Sequence, residues 1–190
     1  MITVLVLLVL IIVVVGYSAG MYNGLVRVRA EVKLAWSNID VLLVQRHDEL
    51  PKLVETCRQY LQYEQQTLER VMQARAAVAG ARNTGNVAAL GAAESGLRTG
   101  LAGLFAVAEN YPDLKANQAF QHLQQRITEL EQAISDRREI YNEAVNINNV
   151  RIDTLPESLI ASRYGFLPAH LLHFEAEQKS DVNMKALFQT

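Results

Sequence analysis

MITVLVLLVLIIVVVGYSAGMY, residues 1–22, opens this chain and decides its architecture. No charged side chain occurs before Arg27, and from Ile2 to Val15 only Thr3 interrupts the aliphatic run. As a helix the stretch is about 33 Å long, enough to cross a hydrocarbon core of roughly 30 Å. A cleaved signal peptide has a basic start, a shorter apolar centre and a small-residue cleavage site. Here no Lys or Arg precedes the run, and Tyr17 weakens Ser18-Ala19-Gly20 as such a site. A buried core helix this long and this free of charge is out of place in a soluble domain of 190 residues. The expectation is a retained membrane-spanning helix over 1–22.

Charge sets its direction. Arg27, Arg29 and Lys33 follow the run against Glu31, so the positive-inside rule places the N-terminus outside and the rest of the chain in the cytoplasm. The lone Cys57 agrees, since one cysteine makes no internal disulfide. Gly16, Gly20 and Gly24 recur every four residues. In lipid such a stripe lets two helix backbones approach, so helix association through these three glycines is expected. The plainer alternative is that they mark the end of the span.

All 18 basic and 20 acidic residues lie beyond residue 26 and sum to a net charge of −2. That balance leaves no electrostatic footprint for nucleic acid. The remaining chain suffices for one domain with one core.

Its periodicity is helical. Leu25, Val28, Val32, Ala35, Ile39 and Leu42 alternate three and four apart, with Trp36 and Leu43 widening the face. No breaker separates this seam from the apolar run, so one helix is expected from about residue 2 to 47. His47-Asp48-Glu49-Leu50-Pro51 reads as a break, with Asp48 as a cap and Pro51 in a first turn. Leu50, Val54, Cys57, Leu61, Glu64, Leu68, Val71, Arg75 and Val78 then form a heptad seam over 50–82. Asn83-Thr84-Gly85-Asn86 is a turn. A third helix over 87–110 carries Gly91, Gly96, Gly100 and Gly103; each costs about 0.5–1 kcal/mol relative to alanine, so close packing must stabilise it. Pro112 ends it and Asp113 is placed to cap a fourth helix over 113–149, with Phe120, Leu123, Ile127, Leu130, Ile134, Tyr141 and Val145 on its seam.

The expected fold is therefore all-α. An N-terminal transmembrane helix continues into an antiparallel up-down four-helix bundle over 23–152, followed by a short C-terminal segment over 153–174 and a polar tail over 175–190. Up-down topology returns the end of the fourth helix to the bilayer, so 153–174 should be membrane-proximal. Pro156 and Gly165 bound a short helix there. Tyr164, Phe166, Leu171 and Phe174 make the segment apolar, suited to membrane or partner contact or, more simply, to covering the bundle end.

Several separate motifs resemble the LemA family. They are Tyr22-Asn23-Gly24-Leu25-Val26, Ala35-Trp36-Ser37-Asn38-Ile39-Asp40-Val41, Leu50-Pro51-Lys52-Leu53-Val54-Glu55-Thr56, and Glu64 with Leu68-Glu69 and Ala74-Arg75. Further along come Tyr111-Pro112-Asp113-Leu114-Lys115-Ala116-Asn117, Tyr141-Asn142, Ala161 with Tyr164-Gly165-Phe166, and Phe174-Glu175-Ala176. The resemblance covers residues 2 to about 176. It implies a bacterial single-pass protein of the inner (cytoplasmic) membrane, with no known enzymatic activity and no cofactor.

The residues themselves offer little chemistry. No His has a Glu three positions before it, as a di-iron bundle needs, and the zincin and phosphate-loop motifs are absent. His170 and His173 are two ligands on an apolar segment, too few to predict a metal. Cys57 on the apolar seam reads as an inert core thiol. Polar residues on or beside the seams, namely Lys33, Asn38, Asp40, Arg46, Glu64 and Arg75, are candidates for fixing interhelix register. A hairpin turning near 48–49 sets Glu64 opposite Lys33, and that pair is expected to form. No catalytic residue, cofactor or small-molecule substrate is expected. The function expected is a membrane-anchored scaffold or adaptor that forms a homo-oligomer or recruits another membrane protein. The alternative is a helical bundle that senses a ligand or the membrane state and signals by helix movement, which needs a pocket beside the third helix.

Overall fold

The computed structural model describes residues 1–174; the polar tail expected over 175–190 lies outside the described residues. Every regular element among the described residues is helical: α1 (Ile2–Arg58), α2 (Gln65–Thr84), α3 (Val87–Ala108), α4 (Pro112–Lys115), α5 (Gln118–Asp153) and α6 (Glu157–Tyr164).

α1 carries the apolar run, and the chain through Gly20 is exposed apart from a half-buried Ser18. It is the one helix among the described residues long and apolar enough to cross a membrane. The Ser18 hydroxyl donates to the Val14 carbonyl at 2.8 Å, so even this polar group is satisfied along the helix.

The break expected at 48–51 does not occur. α1 runs through Pro51 to Arg58. A proline inside a helix removes the hydrogen bond to the carbonyl four residues back, at a cost of about 3 kcal/mol. Here that carbonyl belongs to His47, and Arg75 Nε donates to it at 2.9 Å. Burial of Leu50, Leu53, Val54 and Cys57 continues the seam of Ile39, Leu43 and Arg46 without a change of phase. At about 1.5–3 kcal/mol for each large aliphatic residue, that burial outweighs the proline.

The turn lies instead at 59–64, where Leu61 N–H donates to Cys57 O at 2.9 Å and Glu64 N–H to Leu61 O at 3.2 Å. The second helix thus begins at Gln65 rather than at 50. α2 ends on Gly85, whose φ of 65° is the left-handed conformation that glycine adopts at no steric cost. Asn86 caps α3 by accepting from Ala89 N–H at 3.0 Å. Asp113 is not the cap of the next long helix. Pro112 starts the one-turn α4, and Asn117 caps α5, its Oδ1 accepting from Phe120 N–H at 3.1 Å. The Asn117 amide also donates to the Tyr60 hydroxyl at 3.0 Å. α5 continues to Asp153, beyond the expected 149. α6 ends as expected on Gly165, with φ 69° and Phe166 N–H on Ala161 O.

The described residues divide into two compact units, Met1–Val41 with Ile134–Leu171, and Leu42–Ala133 with residues 172–174. In the first, Leu25, Ile152, Ala161 and Phe166 form a buried cluster flanked by Val26 and Ile160. α1 and α5 lie antiparallel there, with Trp36 against Tyr141 (ring centroids 5.4 Å) and Gly24 against Arg151. In the second, Leu50, Leu53, Cys57, Leu61, Val71, Leu90, Leu97, Leu104, Phe120 and Ile127 are buried. Gly100 brings α3 onto α2 there, since a Cβ at that position would stand 3.7 Å from Val71 Cγ2.

Candidate functional site

The second unit holds a buried ion-pair cluster. Arg46 follows Ile39 and Leu43 on the inward face of α1, so its position in the seam forces the guanidinium into the core. Arg46 Nη2 meets Glu94 Oε1 at 2.5 Å and Nη1 meets Glu131 Oε1 at 2.5 Å. The Arg46 and Glu94 side chains are each 1% exposed. Arg98 Nε lies 3.4 Å from Glu131 Oε2, so two cations balance two carboxyl groups. Burial alone would lower the Arg46 pKa, but Glu94 and Glu131 together raise it, and the guanidinium stays charged. Burial pushes the Glu94 carboxyl above the ordinary carboxylate range, more than Arg46 draws it down. Among the described residues, Glu94 Oε2 and Arg46 Nε have no hydrogen-bond partner. A cluster this enclosed fixes which faces meet, and it costs desolvation to do so. Near it, Leu172 and Phe174 are buried, the Arg98 guanidinium sits over the Phe174 ring at 5.7 Å, and the His173 carbonyl fills the notch left by Gly91.

Cys57 is fully buried, and desolvation pushes its thiol up to about 12, which removes it as a nucleophile at neutral pH. His47, whose carbonyl Arg75 caps, has its imidazole pKa lowered by burial and by the Arg75 charge. No group of three or more metal-ligating side chains is present among the described residues.

In the first unit, α1 and α5 form an antiparallel pair with two grooves. The chain after Gly165 fills one of them. Asn149 pairs with Ala169 as one strand does with another, donating Nδ2 to Ala169 O and accepting from Ala169 N–H, both at 2.9 Å. The Tyr141 hydroxyl donates to His170 O at 2.9 Å, and burial raises its pKa, which keeps it a donor. The other groove, about 270 Å³, exposes Leu34, Ile140 and Ile147 between Glu31 and Glu143. At one end of this pair Arg151 binds Glu157, and its Nη1 donates to Gly24 O at 3.3 Å.

These contacts revise several expectations. Gly24 does not face a second membrane helix: a Cβ there would lie 2.5 Å from Arg151 Nη2, so the glycine makes room for an arginine of its own chain. Gly16 and Gly20 face open space. The pairing of Lys33 with Glu64 loses its basis, because the turn is at 59–64 and not at 48–49. Lys33 is exposed, and Glu64 sits at the N-cap of α2. Arg46 and Arg75 do make interhelix contacts, with Glu94 and Glu131 and with the His47 carbonyl. Asn38 is exposed beside the acidic groove, and Asp40 is half-buried. Phe166 and Phe174 are buried within the chain and unavailable to membrane or partner, whereas Tyr164 and Leu171 are exposed.

Sequence reasoning missed Glu94, Glu131, Arg98 and Arg151. Glu94 had a signal, as a lone charge on the seam of Leu90, Leu97 and Leu101. Arg151 had none, because its partner Gly24 was read as part of a lipid-facing stripe.

Two magnetosome proteins of Paramagnetospirillum magneticum, MamQ 2 and MamQ 1, are each 31% identical to this chain over 105 residues. The match covers 55% of this chain but 38% of each relative, so the chain spans well under half the length of the curated relatives it matches. Residues 35–185, most of the chain, match the model of the LemA family. The chain belongs to the LemA family.

Proposed function

We propose that this chain is a membrane-anchored, non-enzymatic scaffold or adaptor that self-assembles or recruits another membrane protein. One face of α1 carries the proposal. With 3.6 residues per turn, Gly16, Gly20, Arg27, Leu34 and Val41 fall on one side of the helix. That side is exposed throughout: Leu34 is 63% and Val41 56% accessible, and a Cβ at Gly16 or Gly20 would meet nothing within 4 Å. Two copies anchored in one bilayer present this face at the same height and in the same direction. Small residues then pack in lipid, and apolar residues spaced as in a coiled coil pack in water.

The remaining parts of the proposal follow from the same helix. The apolar run is a single-pass anchor in the inner membrane, with the N-terminus outside and the helical domain in the cytoplasm, supported by Arg27, Arg29 and Lys33 after the run. The helical segments of the second unit are an antiparallel four-helix bundle, supported by the His47–Arg75 and Gly100–Val71 contacts. LemA membership and the likeness to two magnetosome proteins support membrane association. Sensing of a ligand by the third helix is not favoured, because the His173 carbonyl fills the Gly91 notch and Val71 packs at Gly100.

The test is the mass of the full chain in nanodiscs beside Gly20→Ile and Leu34→Glu. A defined oligomer that either substitution dissociates, with helicity unchanged, supports self-assembly through this face. An oligomer insensitive to both rules the face out. A monomer throughout leaves an adaptor that works only when a different protein binds.

A further inference from the structure

The chain from Leu155 to Leu167 is built inside out for water. Ile152, Ala161 and Phe166 are buried against Leu25, while Leu155, Leu159 and Leu167 interleave with them and are 69%, 65% and 78% exposed. A short helix and its flanks with one apolar face on the protein and another facing outward need a second apolar medium. The location supplies it. Tyr22, at the end of the uncharged run, packs against Tyr164 with ring centroids 4.9 Å apart. Leu155 lines a cavity of about 270 Å³ with Tyr17 and Met21, which belong to the last turns of that run. The outward leucines are therefore held beside the level at which the run gives way to charged sequence.

We infer that residues 155–167 form a collar embedded in the bilayer interface, with Leu155, Leu159 and Leu167 at the boundary of acyl chains and headgroups. The inference rests on the reading of α1 as a membrane span. Tyr17, Tyr22 and Tyr164 suit an interface, since tyrosine has an apolar body and a polar tip. The contact is apolar rather than electrostatic. Between 150 and 170 Arg151 and Arg163 balance Asp153 and Glu157, and Arg151 is already bound to Glu157. The collar thus needs no anionic lipid.

Spin labels test it in the full chain, in nanodiscs of phosphatidylcholine alone. Single substitutions Leu155→Cys, Leu159→Cys and Leu167→Cys carry the label, with Val9→Cys and Tyr63→Cys as lipid and water references; the buried native Cys57 does not react. Power saturation compares collisions with oxygen, concentrated in lipid, and with a water-soluble nickel chelate. The expected result is an oxygen-to-nickel ratio at all three collar sites several-fold above that at Tyr63→Cys. Nickel accessibility equal to that of Tyr63→Cys, with Val9→Cys in lipid, overturns the collar and leaves the span intact. Protection from both probes overturns it in favour of a protein contact. A Val9→Cys label open to nickel sinks the span, and the collar with it.

Discussion

Arg46→Met should be the most damaging single substitution in the second unit. The side chain is buried between two carboxylates at 2.5 Å, and its loss leaves Glu94, 1% exposed, without the group that neutralises it. Breaking a buried pair from one side costs about 3–5 kcal/mol. For a chain of this size each kcal/mol moves the melting temperature by about 2–4 °C, so a fall of about 6–20 °C is expected. Circular dichroism of the detergent-solubilised chain reads it. Acid should narrow the deficit. Without Arg46 only the weaker pull of Arg98 opposes the burial and the Glu131 charge that raise Glu94, so its carboxyl takes up a proton more readily and the charge disappears as pH falls toward 4.5. In the native chain the folded pKa of Glu94 lies above its unfolded value. Its contribution is therefore complete below 4.5 and lost as pH rises through the folded pKa, a slope that Glu94→Gln should abolish. The double substitution Arg46→Met with Glu94→Leu removes both desolvated charges and should recover most of the loss, because replacing a buried pair by apolar residues is often neutral. A melting change within about 2 °C for Arg46→Met, less than 1 kcal/mol, would refute the cluster as a buried, mutually compensating unit.

Arg75→Met should cost about 1–3 kcal/mol by orphaning the His47 carbonyl, and Pro51→Ala in the same chain should cancel that cost, since alanine restores the N–H that the helix lacks; Tm of the two variants and the double checks it. Removing Arg75 should also raise the His47 pKa toward its ordinary 6.5, read by NMR titration. Gly91→Ala places a Cβ on the His173 carbonyl and should lift this segment off α3, seen as faster amide exchange in residues 172–174 with helix content unchanged. The Glu157 carboxyl is held below the usual range by its hydrogen bond to Arg151, so its contribution is present above 4.5 and lost as pH falls through the folded pKa. Protection factors in α6, taken relative to the intrinsic exchange rate at each pH, should therefore fall in acid, and Glu157→Gln should lower them at neutral pH as well.

The apolar run was legible from its length without charge and the inward face of α1 from its period: Leu25, Val28, Ala35 and Ile39 were found by spacing and are buried, while Val32 and Leu42 on the same spacing are half-buried and Leu43, read as widening the face, is buried. The end of α1 was misread because a proline signals a break through its own chemistry, whereas its tolerance depends on Arg75, 24 positions later in the chain. The same seam held the correction, since Leu43, Arg46, Leu50, Leu53 and Cys57 never change phase. The chain after Gly165 was partly legible. Its apolar residues announced burial or contact, but which of them turn inward depends on Asn149 and Tyr141 bonding to the backbone of 169–170, and backbone partners leave no trace in side-chain pattern.

The proposed self-association and the inferred interfacial attachment would engage different sides of α1. Tyr17, Met21, Gly24, Leu25 and Val28 face the C-terminal collar or the core, and their mean direction lies about 120° around the helix from that of Gly16, Gly20, Leu34 and Val41. A second copy seated on the glycine side leaves Leu155, Leu159 and Leu167 free to meet lipid. The two sets of substitutions should accordingly separate. Gly20→Ile should change the mass of the assembly and leave oxygen accessibility at Leu155→Cys unaltered. Leu155→Glu with Leu159→Glu should draw the collar into water without dissociating the oligomer. If Gly20→Ile instead moved the collar labels into water, the collar would owe its position to the neighbouring copy rather than to the bilayer. The packing of Tyr164 and Phe166 on Tyr22, at 4.9 and 5.8 Å within one chain, argues against that outcome.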